Sequence, residues 1–214
     1  MLLDAQVGPR LVSPGSENPL RAARSGALVT CDAHARYAEA IRTGNCYYAT
    51  AVAASLGTAL TATGVTLTLY NPQNSSVYLS VLHVGVALTT PPAAAAVGAL
   101  VLAANVNPIT AVPATNTLAA NWGNALLGAS PGRGVGQPYT ATTLPAAPIA
   151  VRNLGGWAFV GTAASSTGFP IVNDEIAGMI MLAPNTAVTV QGILSASSWT
   201  GTVTMVWEEI PINA

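Results

Sequence analysis

"SSVYLSVLHVGVALTT", residues 75–90, is the stretch on which the architecture turns. It carries no charge, and when extended it places apolar side chains on both faces. Val77, Leu79, Val81, His83 and Ala87 lie on one, Tyr78, Leu82, Val84, Val86 and Leu88 on the other. Its valines and Gly85 disfavour a helix, and its length predicts a strand with a bend or bulge near that glycine. Both faces then need cover, from the rest of the chain or from another molecule.

The flanking sequence is written in the same way. "TGVTLTLYNPQNSS" (63–76) alternates Val65, Leu67 and Leu69 with Thr66, Thr68 and Tyr70, then breaks at Asn71 and Pro72, which reads as a strand and a turn. Three further strands are predicted around 176–182, 187–194 and 201–210, joined by the turns "APNT" and "SASSWTG". "NLGGWAFVGT" (153–162) reads as another strand, and residues 91–150, rich in Pro, Asn, Gly and Thr, as long loops with a few short strands. Many short strands without a strong amphipathic helix predict an all-β, antiparallel β-sandwich, and corner loops of this length favour a jelly roll.

Only 7% of the 214 residues are charged, none of them lysine, while 51% are hydrophobic. An ordinary soluble domain carries roughly 25% charged residues. A helical membrane span is not the explanation, because the longest apolar run, "AAAAVGALVLAA" (93–104), falls short of the roughly 20 residues a bilayer requires. With 6% aromatics, the girdles of a membrane barrel are not expected either. The first residues lack the basic and apolar regions of a secretory signal. Burial against other protein subunits is the reading that remains.

Charge is also unevenly placed. Residues 1–46 hold Arg10, Arg21, Arg24, Arg36 and Arg42 with Asp4, Glu17, Asp32 and Glu39, and read as an N-terminal arm preceding a β domain at 47–214. Within the arm, "DAHARYAEAIR" (32–42) repeats Ala33, Tyr37 and Ile41 at helical spacing, which predicts a short helix that needs a docking surface. A solvated tail and an arm that orders on a partner both fit this composition. Nucleic acid is not expected as a partner, since the arm lacks a basic cluster.

Signs of catalysis are absent. "GASPG" (128–132) matches a nucleophile elbow, but Pro131 has no N–H to give to an oxyanion. "PGRGVGQP" (131–138) is glycine-rich, yet lacks the Lys-Ser/Thr pair of a phosphate-binding loop. Asp174–Glu175 and Glu208–Glu209 are neighbours whose side chains diverge in a strand. Glu208 and Glu209 are expected to keep a sheet edge soluble or to meet a neighbour's arginines. Cys31 and His34 lack further metal ligands, and whether Cys31 pairs with Cys46 stays open. Trp122, Trp157 and Trp207 are assigned to the core. Trp199, in a Ser-rich turn, is assigned to an interface, and His83 to a hydrogen-bonded interior or subunit contact. No enzyme activity, cofactor or metal is expected.

The polar arm, then "RYAEAIRTGNCYYATAVAASLGTALTATGVTLTLYNPQNSSVYLSVLHVGVAL" (36–88) and "APNTAVTVQGILSASSWTGTVTMVWEEIP" (183–211), resembles small virion proteins of tailed bacteriophages, in particular capsid cement or decoration proteins. The resemblance rests on pattern. It implies a jelly-roll or related β body, made in the host cytoplasm and carried as a homotrimer on the outer capsid surface, with an arm reaching across major capsid protein subunits. The arm's length and Arg-only basicity depart from many such proteins. The interface residues expected on this reading are Arg10, Arg21, Arg24, Arg36, Tyr37, Ile41, Arg42, Trp199, Glu208 and Glu209. A tail or head-fibre component binding a receptor, and a cell-wall hydrolase using Asp174 or Glu175, are the alternatives.

Overall fold

The computed structural model describes residues 36–90, 92, 94–105, 114–128, 134–159, 171–195 and 199–212. The chain divides after Glu39, and the β body belongs to the second unit, Ala40–Ala214. A short helix α1 (Ala38–Arg42) precedes the strands β1 (Cys46–Ser55), β2 (Thr63–Val65), β3 (Leu67–Asn71), β4 (Val77–Thr90), β5 (Ala96–Asn105) and β6 (Ala114–Leu118). They are followed by β7 (Asn121–Asn124), β8 (Gln137–Thr143), β9 (Ile149–Phe159), β10 (Ile171–Leu182), β11 (Thr186–Leu194) and β12 (Thr200–Pro211).

The strands make two antiparallel sheets, one in the order β10-β4-β12-β1-β7, the other β2-β8-β3-β11-β5-β9 with β6 also on β8. Taking β1, β3, β4, β5, β9, β10, β11 and β12 as first to eighth, the sheets run first–eighth–third–sixth and second–seventh–fourth–fifth. That interleaving, with the chain crossing repeatedly between facing sheets, is the jelly roll. The segment between β5 and β9 supplies three of the additions, β7 extending the first sheet beyond β1 and β8 with β6 the second beyond β3, while β2, from between β1 and β3, ends the second sheet on β8.

The opening stretch resolves its own difficulty. It is one 14-residue strand, β4, and its bulge falls at Leu82 instead of Gly85: Trp207 pairs with Val81 and Val206 with His83. One extra residue inverts the facing of everything beyond it. Val77, Leu79 and Val81 before the bulge therefore face the same way as Val84, Val86 and Leu88 after it, opposite Gly201, Val203, Met205, Trp207 and Glu209 of β12. His83, Gly85 and Ala87, which unbroken alternation would group with Val81, turn to the outer face with Thr202, Thr204 and Val206. Strand β10 sets four residues, Ile176–Met179, against Leu82 alone, with positive φ at Ala177 and Gly178.

The core is what these inner faces enclose. Leu67 and Leu69 of β3, Leu100 and Leu102 of β5, and Val188 and Val190 of β11 meet Leu79, Val81, Val84, Met205 and Trp207 from the other sheet. A second, smaller cluster of Tyr70, Tyr139, Leu144 and Ala187 lies outside the second sheet. There Gln191 clasps the backbone of Thr61 through Oε1 and Nε2, both at 2.9 Å. That clasp fixes the β1–β2 segment over the outer face of β11. Cys46 is a free, buried thiol whose pKa burial pushes up to about 11, with the Glu208 carboxylate adding to the shift. A thiol held neutral in this way is a packing group. Among the described residues no helix is long and apolar enough to cross a membrane.

Candidate functional site

Two of the expected interface residues are not on a surface. Trp199 is fully buried, donates from Nε1 to the Gly57 carbonyl at 3.0 Å, and stacks edge-on with Trp157. Its turn is polar, but the indole points inward. Glu209 is also buried, and β12 lies in the middle of its sheet, so Glu208 and Glu209 guard no edge. Glu208 is half-buried on the outer face, paired with Ser80, while Glu209 faces the core side.

The glycine-rich loop explains how Glu209 is tolerated there. Val135 N–H donates to Oε2 at 3.0 Å and Gly136 N–H to Oε1 at 2.8 Å, so the loop cradles an anion that the chain itself provides. The glycines are sterically required. A Cβ on Gly134 would stand 2.3 Å from Glu209 Oε1, and one on Gly136 would stand 2.9 Å from Trp207 Nε1. Replacing Glu209 with Gln turns an acceptor into a donor against one of these N–H groups. Chemical denaturation of Glu209→Gln is expected to show a loss of about 1–3 kcal/mol, and an unchanged midpoint would refute the role given to this contact.

Of the remaining expected residues, Arg10, Arg21 and Arg24 lie outside the described residues. Arg36 is exposed and places its guanidinium 5.5 Å from the centre of the Tyr37 ring. Ile41 is half-buried and Arg42 exposed, both in the last turn of α1. Asp174 and Glu175 point to opposite sides of β10, and Asp174 is engaged by Arg152 in a two-pronged ion pair, Nε to Oδ2 at 2.7 Å and Nη2 to Oδ1 at 3.0 Å. His83 does form a hydrogen bond, from the outer face, with Asn173. No group of three or more metal-ligating side chains occurs among the described residues.

The surface that stands out was not singled out from sequence. Strands β9 and β10 end their respective sheets on the same flank of the sandwich, and the Arg152–Asp174 pair ties one to the other. Ile149 and Val151 of β9 and Ile171, Met179 and Met181 of β10 are all exposed, Ile171 to 76% and Met179 to 67%. A groove of about 410 Å³ runs here, lined by Val151, Met179, Met181, Ala183 and Ala104. Such a row on two sheet edges that are unpaired among the described residues is what a monomer surface avoids. The signal in the sequence was "IAGMIML", where both phases of β10 are apolar although only one can face the core.

Comparison with protein-family models, curated proteins and solved structures returns no match to this chain.

Proposed function

We propose that this protein is a non-enzymatic virion structural protein, a capsid cement or decoration protein that self-associates as a trimer and bridges major capsid protein subunits. The observation that carries this reading is the apolar flank of β9 and β10: two sheet edges presenting Ile149, Val151, Met179 and Met181, in a chain with 7% charged residues. Interfaces between permanently associated subunits resemble a core cut in half, and this flank has that composition. A jelly roll suits the role, since its rigid body leaves its flanks and corners for contacts. The hydrolase alternative finds no support at Asp174 and Glu175, which diverge and of which Asp174 is held by Arg152.

Sedimentation and native mass measurements test the proposal. The wild-type chain is expected to be trimeric, and Met179→Asp with Met181→Asp to be monomeric with an unaltered far-ultraviolet spectrum, because buried unpaired carboxylates oppose association. On particles that carry the protein, removal of residues 1–39, which precede the unit holding the β body, is expected to release it from the head. A wild-type chain that stays monomeric at high concentration and does not associate with capsids would sink the proposal.

A further inference from the structure

Gly85 is a glycine the fold does not require. Its φ is not in the left-handed region, and a Cβ there would make ordinary contacts, 3.4 Å to the His83 ring and 4.0 Å to Thr204. A mid-strand glycine costs roughly 0.5–1 kcal/mol relative to alanine, and by contrast Gly98, Gly134 and Gly192 all face atoms within 3 Å of the missing Cβ. What the bare position creates is a trough of about 300 Å³ on the outer face of the first sheet, over β10, β4 and β12. Gly85 and Ala87 floor it, Ile171 rises on one side, and His83, Asn173, Thr202 and Thr204 edge it.

We infer that this trough is a binding site for a neutral saccharide. The lining mixes both chemistries a sugar ring presents. Ile171, 76% exposed, and the Gly85–Ala87 floor offer an apolar surface to ring C–H groups. His83 Nε2 is bonded to Asn173 Oδ1, a contact that holds the two side chains together at the trough and uses one polar atom of each, so the Asn173 amide nitrogen and the second imidazole nitrogen are not engaged by it. Thr204, fixed by a 3.0 Å bond to Thr50, adds a hydroxyl that can both donate and accept. Among the described residues, the trough's lining contains no arginine or carboxylate to select an anion or a cation. A peptide strand is also disfavoured. The backbone groups of β4, which floors the trough, are already paired to β10 and β12, so a strand could add only along the outer edge of β10, beside the trough and not within it. Recognition therefore falls to side chains and to ring stacking on a flat floor. An open trough of this size gives weak single-site affinity, made useful by repetition on an assembly. The inference does not depend on what that assembly is.

The test is amide-resolved NMR of the full chain titrated with glucose, galactose, mannose and N-acetylglucosamine. At least one sugar is expected to shift Gly85, Asn173 and Thr204 selectively. Gly85→Leu, which fills the trough, and Asn173→Ala, at an exposed position, are each expected to weaken that binding by about tenfold or more. Asn173→Ala keeps the question answerable where Gly85→Leu perturbs folding. Absence of any shift at these amides, or undiminished binding by Asn173→Ala, overturns the inference. So does a Gly85→Leu chain that binds sugar normally or changes only its oligomeric mass, the latter marking the trough as a socket for another subunit.

Discussion

Deleting Leu82 is expected to abolish cooperative folding. The bulge at Leu82 is what lets β4 send Val77, Leu79 and Val81, and then Val84, Val86 and Leu88, to one side. Without the extra residue, keeping the first half in register turns Val84, Val86 and Leu88 to the outer face and His83, Gly85 and Ala87 inward. At about 1.5–3 kcal/mol for each aliphatic side chain returned to water, the loss reaches roughly 5–9 kcal/mol. Whole domains are stable by about 5–15 kcal/mol. Shifting the other half instead exposes Leu79 and Val81 and carries a similar penalty. Two controls separate register from side-chain loss. Leu82→Ala keeps the chain length and is expected to cost about 2–5 kcal/mol while folding cooperatively. Deletion of Thr89, exposed beyond the last inward residue, is expected to be tolerated. A thermal melt of the Leu82 deletion that matches the wild type would show that the bulge does not set the register.

That bulge also marks the limit of what could be read along the chain. The strands β3, β11 and β12 were legible because each alternates with its own neighbours, and β12 alternates buried and half-buried residues from Gly201 to Glu209 without a break. The sandwich followed from such segments, and the jelly-roll form from the length of the corner loops. The bulge position did not follow, because it is set by pairing with β10 and β12, strands distant in sequence. A local rule assigns the irregularity to Gly85; the partners place it three residues earlier. The strand β1 was hidden by small residues, "CYYATAVAAS", in what read as the end of an arm and the start of the domain. The divergence of Glu208 and Glu209 was legible, but that one of them serves as the anion of the glycine-rich loop was not. Each half of that contact looks unremarkable alone: a carboxylate in a strand, and a loop with three glycines. Likewise, the apolar flank of β9 and β10 becomes a site only when two sheet edges come to lie side by side.

Trp199→Ala is expected to destabilise the isolated subunit by about 3–5 kcal/mol, with the melting temperature falling by roughly 6–20 °C at about 2–4 °C per kcal/mol for a chain of this size. The indole closes one end of the sandwich through several contacts at once. It donates from Nε1 to the Gly57 carbonyl at 3.0 Å, beside a backbone bond from Leu56 N–H to the Trp199 carbonyl at 2.9 Å that substitution of the side chain leaves in place. It also covers Gly192, where a Cβ would come within 2.4 Å of Nε1. The end of β1, the middle of β11 and the start of β12 therefore depend on one ring. Trp199→Phe retains most of the buried area but leaves the Gly57 carbonyl without its partner, an expected cost of about 1–3 kcal/mol. The two variants distinguish a core residue from an interface residue. If Trp199 served subunit contact, Trp199→Ala would weaken self-association and leave the melting of a dissociated subunit unchanged. Measured in the monomeric Met179→Asp, Met181→Asp background, the loss is expected to persist in full, because every contact of the ring described above lies within one chain.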